Sequence, residues 1–359
     1  MHQAATPNQH YDGLQVLRAI AALIVILYHT GHMVNKEIGS SLLTDSLGWD
    51  RWGIAAVLLF FSISGFVISQ AAERAASPFI FLADRLLRIY PGYLLAAGLT
   101  ISLYLCVYGS FPWAAYKPSS LTLLPLGIKD YVLGGVEWSL TYEMAFYIIT
   151  FLWLLAFKPK RLWVLSILWI GLIISANLFS TGEWKKHAFN PDFMEALLSV
   201  FCIPFWAGMI CYRIRHFLIF IQWPGLLAAG SCYGVYAISN STSISVFSLT
   251  LGGILLIMTM VNCFGKKEGA GPPSPSLLWL GNRSYGLYLF HVPLISTTTI
   301  AYLKQINPPP ALATISLALI TISGAAAFAS LEYAIYKFLR IQFRHKSSIA
   351  KSLKHSSPA

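Results

Sequence analysis

Stretches of about twenty apolar residues, each closed by a short polar or basic run, recur from Leu14 to Lys337. A helix needs about 20 predominantly apolar residues to cross a ~30 Å hydrocarbon layer, so this rhythm predicts membrane spans. We count about ten, near residues 14–34, 53–71, 91–108, 139–157, 162–180, 194–212, 217–238, 243–264, 280–302 and 311–337. The expected fold is an all-α polytopic membrane protein, a bundle of about ten transmembrane helices. Basic residues collect after every second span. Arg74, Arg85 and Arg88 follow the second; Lys158, Lys160 and Arg161 follow the fourth; Arg213 and Arg215 follow the sixth. Lys266 and Lys267 follow the eighth, and Arg340, Arg344, Lys346, Lys351 and Lys354 follow the last. With ten spans these all share one side, so the positive-inside bias puts both termini in the cytoplasm. Lys185 and Lys186 run against that trend.

The connections carry their own signals. Ser77 to Tyr90, SPFIFLADRLLRIY, predicts a short helix on the cytoplasmic surface. Ser77 can cap it, Pro78 suits its first position and Pro91 discourages continuation. Phe81, Leu82 and Leu86 would lie on the membrane, with Asp84, Arg85 and Arg88 in water. The Pro-interrupted stretch Gly109 to Gly135 is expected over the external face, as a lid or a partly re-entrant segment. Gly265 to Ser276 has the composition of a linker. Residues 1–340 are expected to form one integral membrane domain and 341–359 a polar, basic, disordered tail.

Composition agrees with the pattern. Hydrophobic residues make up 56% and charged ones 11% of the 359. Soluble domains carry about 25% charge, so a globule would lack polar surface to meet water. The net charge of +11 lies in the loop clusters and does not point to nucleic acid. The five cysteines fall in or beside apolar segments without paired spacing, which excludes a disulfide framework and a cysteine metal site. Met1 to Tyr11 is polar and has no basic start, so no cleaved signal peptide is expected.

Ionisable residues inside spans are the candidates for chemistry, because each costs roughly 2.5–3.5 kcal/mol to insert. The first span carries Arg18, His29 and His32. Arg18 and His29 lie three turns apart on one helical face, ~16 Å along the axis. An imidazole titrates near neutrality, so His29 is a candidate general base. His32 sits closer to outer water. A zinc site would need further ligands, and none is expected. Glu143, in VEWSLTYEMAFY at the head of the fourth span, has no local partner; His29 and Arg18 are the candidates. A carboxylate on one nitrogen of His29 would fix its tautomer and leave the other nitrogen as the base. Glu137 and Trp138 are expected at the membrane boundary. Arg85 and Arg88 share a helical face and suit phosphate groups, although ordinary positive-inside charge explains them equally well. Asn282, Ser284, Tyr285, Tyr288 and His291 give the ninth span an unusual polar density, which could line a pocket or join helices. A transporter or flippase using Arg18, His29 and Glu143 as a relay is the alternative to an enzyme.

These segments together resemble the acyltransferase family 3 membrane proteins. YDGLQVLRAIAALIVILYHTGH is similar to the family's first span, with its Arg, ten residues, then His on Arg18 and His29. FLADRLLRIYPGY resembles the family's RxxR stretch through Arg85, Arg88, Tyr90 and Pro91. VLLFFSISGFVIS, VEWSLTYEMAFY (through Trp138 and Glu143) and LGNRSYGLYLFHVPL are similar to later family segments. SLEYAIYKFLR departs from the family's last-span ending, with Tyr336 where a Glu would fall and Phe338 where a Pro would; Asn282 replaces a frequent Asp. No hydrolase-like domain, as fused members carry, is expected after the tenth span.

The resemblance implies acyl transfer, commonly acetyl from acetyl-CoA, to a hydroxyl of a cell-envelope carbohydrate or lipid-linked sugar. It implies a plasma (bacterial inner) membrane location and no permanently bound cofactor. His29, Glu143 and Arg18 would be catalytic, and Arg85, Arg88 and Tyr90 would hold the donor. Trp138, Asn282, Ser284, Tyr285, Tyr288 and His291 would serve the substrate or the oxyanion.

Overall fold

In hydrocarbon every backbone N–H and C=O must pair within its own segment or with a neighbour, and helices answer that need. The computed structural model describes residues 11–112, 118–127, 131–179, 189–216, 223–264 and 273–356. The regular structure among the described residues is helical throughout. In chain order the helices are α1 (Asp12–Glu37), α2 (Leu42–Leu47), α3 (Asp50–Arg74), α4 (Pro78–Tyr108), α5 (Glu137–Ala156), α6 (Leu162–Phe179) and α7 (Phe193–Leu198). They continue with α8 (Ile203–Ile214), α9 (Trp223–Ile238), α10 (Thr242–Cys263), α11 (Pro275–Asn282), α12 (Ser284–Thr298), α13 (Lys304–Ile306) and α14 (Pro310–Ser356). Among the described residues eight helical segments are long and apolar enough to cross a membrane, while α8 and α9 are apolar but shorter. The start of the seventh expected span, most of the Gly265–Ser276 linker, and Lys185 and Lys186 lie outside the described residues.

Helix α1 is central, packing against α3, α10, α11, α12 and α14. Lipid tails are as apolar as leucine, so close packing rather than the hydrophobic effect joins such helices. The α3–α8 crossing shows this. A Cβ on Gly65 would lie 1.9 Å from the Phe205 carbonyl oxygen, and one on Gly208 would lie 2.0 Å from that of Ser62. Outward faces are apolar, with Leu168 on α6 and Leu319 on α14 more than half exposed.

Two local expectations change. Helix α4 starts as the pattern predicts, with Ser77 capping Ile80 N–H at 3.2 Å and Pro78 in its first turn. It then passes through Pro91 as one 31-residue helix instead of stopping as a surface helix. Packed membrane helices tolerate a proline because neighbours re-satisfy the freed backbone groups. Phe81 and Arg85 are therefore buried within the bundle. The last helix likewise runs past Arg340 to Ser356, where a disordered tail was expected; no proline or glycine interrupts those sixteen residues. Glu137, at the head of α5, is fully buried. Its carboxylate accepts the Leu133 N–H at 2.6 Å and the Gly135 N–H at 3.2 Å, fixing the turn that leads into α5.

The described part of the Gly109–Gly135 stretch folds back onto α4. Ser120 and Leu123 are buried. Tyr90 and Tyr93, midway along α4, donate to the carbonyls of Thr122 and Ser120, the latter at 3.2 Å.

Candidate active site

A cavity of about 310 Å³ opens between α1, α3, α4, α5, α12 and α14, and Arg18, Arg85, Arg88 and Arg340 all reach its wall. Glu143 brings a carboxylate into it, and Tyr147, Tyr285, Tyr288, Tyr333 and Tyr336 supply much of the remaining surface. The arginines are held by acids placed just behind them. Arg88 donates to Glu332 at 3.0 Å, and its guanidinium lies 4.7 Å from the Tyr285 ring and 4.8 Å from the Tyr336 ring. Asp84 pairs with its neighbour Arg85 and accepts from Arg340 Nε at 3.2 Å. The buried Nε of Arg85 has no partner among the described residues. Arg18 is within electrostatic reach of Arg88, Glu143 and Glu332.

Glu143 does not meet His29. Its Oε1 accepts from Ser64 Oγ at 3.0 Å and from Tyr147 Oη at 2.7 Å, and the side chain faces the Arg18 end of the cavity. His29 is half-buried and is not among the residues lining that cavity. Its ring lies 4.6 Å from that of Tyr28 and 5.1 Å from that of His291. The shared α1 stripe is as the spacing predicts, but its ~16 Å length separates the two chemistries. His32 is exposed, 3.8 Å from Asp50.

The hydroxyls of α12 differ in what they can do. Tyr285 donates to the Ile89 carbonyl at 2.7 Å, so its hydrogen is already committed. Tyr288 donates to the Val136 carbonyl at 3.1 Å and bonds Ser139 Oγ at 2.7 Å. Ser284 Oγ is buried, lines the cavity and has no partner among the described residues. Asn282 also lines it. Tyr90 faces the segment around Thr122 rather than the arginines, and Trp138 packs edge-on against Phe61, Tyr142 and Phe189. His291 is fully buried outside the cavity wall.

Glu332, Tyr333, Tyr336 and Arg340 are site residues that pattern alone passes over, all from α14. Glu332 carried a usable signal: it is a lone carboxylate in an apolar run, the same cue that marks Glu143. Tyr333 and Tyr336 look like ordinary membrane aromatics until the fold aims them inward.

A bundle of apolar helices long enough to cross a membrane, enclosing an arginine-lined chamber, has the build of an integral membrane protein. The chain belongs to acyltransferase family 3, since the family model described as an acyltransferase domain matches residues 11–330. It is similar to the exopolysaccharide production protein ExoZ of Rhizobium meliloti (strain 1021), 28% identical over 302 residues, 78% of this chain and 88% of that one. Nodulation protein 10 of Rhizobium leguminosarum bv. viciae is 25% identical over 334 residues, 81% of this chain and 84% of its own. O-acetyltransferase OatA of Staphylococcus aureus (strain NCTC 8325 / PS 47) is 26% identical over 327 residues, 80% of this chain but 51% of that protein. No solved structure matches.

Proposed function

We propose that this membrane acyltransferase moves an acetyl group from cytoplasmic acetyl-CoA to a hydroxyl of a cell-envelope carbohydrate or lipid-linked sugar. The observation that carries the reading is the gathering of four arginines around one chamber, beside a span that also bears a half-buried histidine. The names of ExoZ and OatA favour a polysaccharide acceptor and an acetyl group. In this reading the chain has ten spans, both termini are cytoplasmic and the membrane is the bacterial inner membrane.

Arg18, Arg85 and Arg88 hold donor phosphates, with Arg340 closing the set. The chamber is at the small end of the ~300–1,000 Å³ typical of ligand pockets, so it takes the donor's reactive portion rather than all of it. The thioester arm runs along the α12 wall toward Tyr288 and His29. His29 removes the proton from the acceptor hydroxyl as that oxygen attacks the thioester carbonyl. The C–S bond then breaks, and the CoA thiolate recovers the proton from the imidazolium. Ser284 Oγ, unpartnered in the wall beside the arginines and ~10 Å along α12 from His291, donates to the phosphate-bearing part of the donor. Glu143 keeps Arg18 in place and does not act on His29.

The test is ligand-dependent stability together with transfer. Acetyl-CoA at 100 times its Kd stabilises a protein that binds it only when folded by about 2.7 kcal/mol, and His29→Ala should keep that stabilisation while losing transfer. No stabilisation of the wild type would remove the donor site and favour a transporter. Normal transfer by His29→Ala would remove the base.

A further inference from the structure

The base reading leaves a structural need unmet. An imidazole that accepts a proton must have its other nitrogen held, or the ring presents the wrong tautomer part of the time. Glu143 was the obvious holder, and it is taken by Ser64 and Tyr147. The ring neighbours of His29 are Tyr28 and His291, and Tyr28 directs its hydroxyl to Asp50 at 3.1 Å.

His291 fits the vacancy. Its Nδ1 lies 2.7 Å from the Tyr288 carbonyl oxygen. A carbonyl only accepts, so Nδ1 carries the hydrogen and Nε2 of the neutral ring is left as a bare acceptor. That Nε2 is buried and has no partner among the described residues. An unmade hydrogen bond of this kind is costly in a low-dielectric interior and calls for an explanation. The ring centroid of His29 is 5.1 Å away with the planes at 52°. That separation allows one N–H···N contact after a small ring rotation, or one bridging water.

We infer that His291 is the positioning residue of the active site: its Nε2 accepts the N–H of His29, which leaves the other nitrogen of His29 unprotonated and aimed at the acceptor hydroxyl. The inference rests on His29 being the base. When His29 takes the hydroxyl proton, its second N–H strengthens toward Nε2 as a charge-assisted bond, and His291 stays neutral throughout. The proton returns from His29 to the leaving thiolate, so nothing is gained or lost at His291. Tyr288 then has two tasks on one turn. Its carbonyl sets the His291 tautomer, and its ring and hydroxyl line the donor chamber.

The experiment uses membranes from cells producing each full-length variant and follows radiolabelled acetyl from acetyl-CoA into envelope polysaccharide. His291→Phe keeps a ring and removes the acceptor; His291→Gln can return a carbonyl oxygen near the position of Nε2. Folding is controlled by the acetyl-CoA-dependent rise in Tm of each purified variant. His291→Phe should lower the rate at saturating acetyl-CoA by about 100-fold, in the range general-base catalysis supplies, with the KM for acetyl-CoA within about twofold. His291→Gln should recover to within about tenfold of wild type. Added to His29→Ala, His291→Phe should change the residual rate by less than about twofold, because a group that acts through His29 has nothing left to act on. Near-normal transfer by His291→Phe overturns the inference. So do equal loss in Phe and Gln, and a full multiplicative loss on top of His29→Ala. If His29→Ala alone transfers normally, the base assignment has failed instead.

Discussion

Arg88 and Glu332, 244 residues apart in sequence, meet at 3.0 Å in the interior of the bundle, with the Glu332 side chain 1% exposed. The pair ties α4 to α14 at the wall of the arginine chamber. Two aromatic rings, Tyr285 and Tyr336, flank the guanidinium and leave it little freedom. Removing two charges from water costs several kcal/mol per ion, which only close geometry and extra contacts repay. A pair this buried is therefore weak evidence for stability and better evidence for placing a cation where a ligand needs it.

Glu332→Ala should destabilise the purified protein by about 3–5 kcal/mol, the cost of leaving a buried charge without its partner. The double variant Arg88→Met/Glu332→Leu should regain most of that loss and yet show no acetyl-CoA-dependent rise in Tm. Thermal unfolding with and without acetyl-CoA reads both effects. Donor-induced stabilisation persisting in the double variant would show that Arg88 holds no ligand.

Gly92 decides where Glu332 can sit. A Cβ there would lie 2.8 Å from Glu332 Cγ and 3.0 Å from Tyr285 Cε1. Overpacking of this kind costs about 1–3 kcal/mol, and here it should also displace the partner of Arg88. Gly92→Ala should raise the KM for acetyl-CoA about tenfold. Gly98→Ala on the same helix, where a Cβ meets nothing within 4 Å, should leave it unchanged. Equal KM values in the two variants would refute the placement.

Much of this arrangement is legible in the sequence because membrane helices obey strong one-dimensional rules. Arg18 and Glu143 announce themselves as charges in apolar runs, and both line the chamber. The polar face of α12 is readable in the same way. Pro91 misleads because its local cost is real in water and small in a packed bundle, so a surface helix is predicted where α4 runs on. The Glu143–His29 pairing fails because helical periodicity gives the face of α1 but not the depth at which a second helix crosses it. Glu332 and the His29–His291 contact join distant segments, and only the fold shows which buried polar groups become neighbours.

Glu137 should prove structural. Its two oxygens hold the N–H groups of Leu133 and Gly135, and the adjacent Val136 carbonyl receives the Tyr288 hydroxyl. Glu137→Ala orphans both donors, at about 1–3 kcal/mol for each buried group left unsatisfied. Hydrogen exchange at residues 131–136 should accelerate before any change at α10. Unchanged protection in that turn would mean the carboxylate does not hold it.

Ser284 and Tyr285 are adjacent hydroxyls with opposite expectations. The Tyr285 hydrogen goes to the Ile89 carbonyl, whereas Ser284 Oγ has no partner among the described residues. Tyr285→Phe should lower stability by about 1 kcal/mol, the net worth of one hydrogen bond, and leave the rate at saturating acetyl-CoA within about threefold. Ser284→Ala should leave Tm nearly unchanged and raise the KM for acetyl-CoA about tenfold, the scale of one lost hydrogen bond to a charged group. An unchanged KM in Ser284→Ala would exclude this hydroxyl from the donor site. Because the neighbouring Asn282 also faces the chamber, the donor contact would then pass to its amide, and Asn282→Leu would be the variant to show the rise in KM.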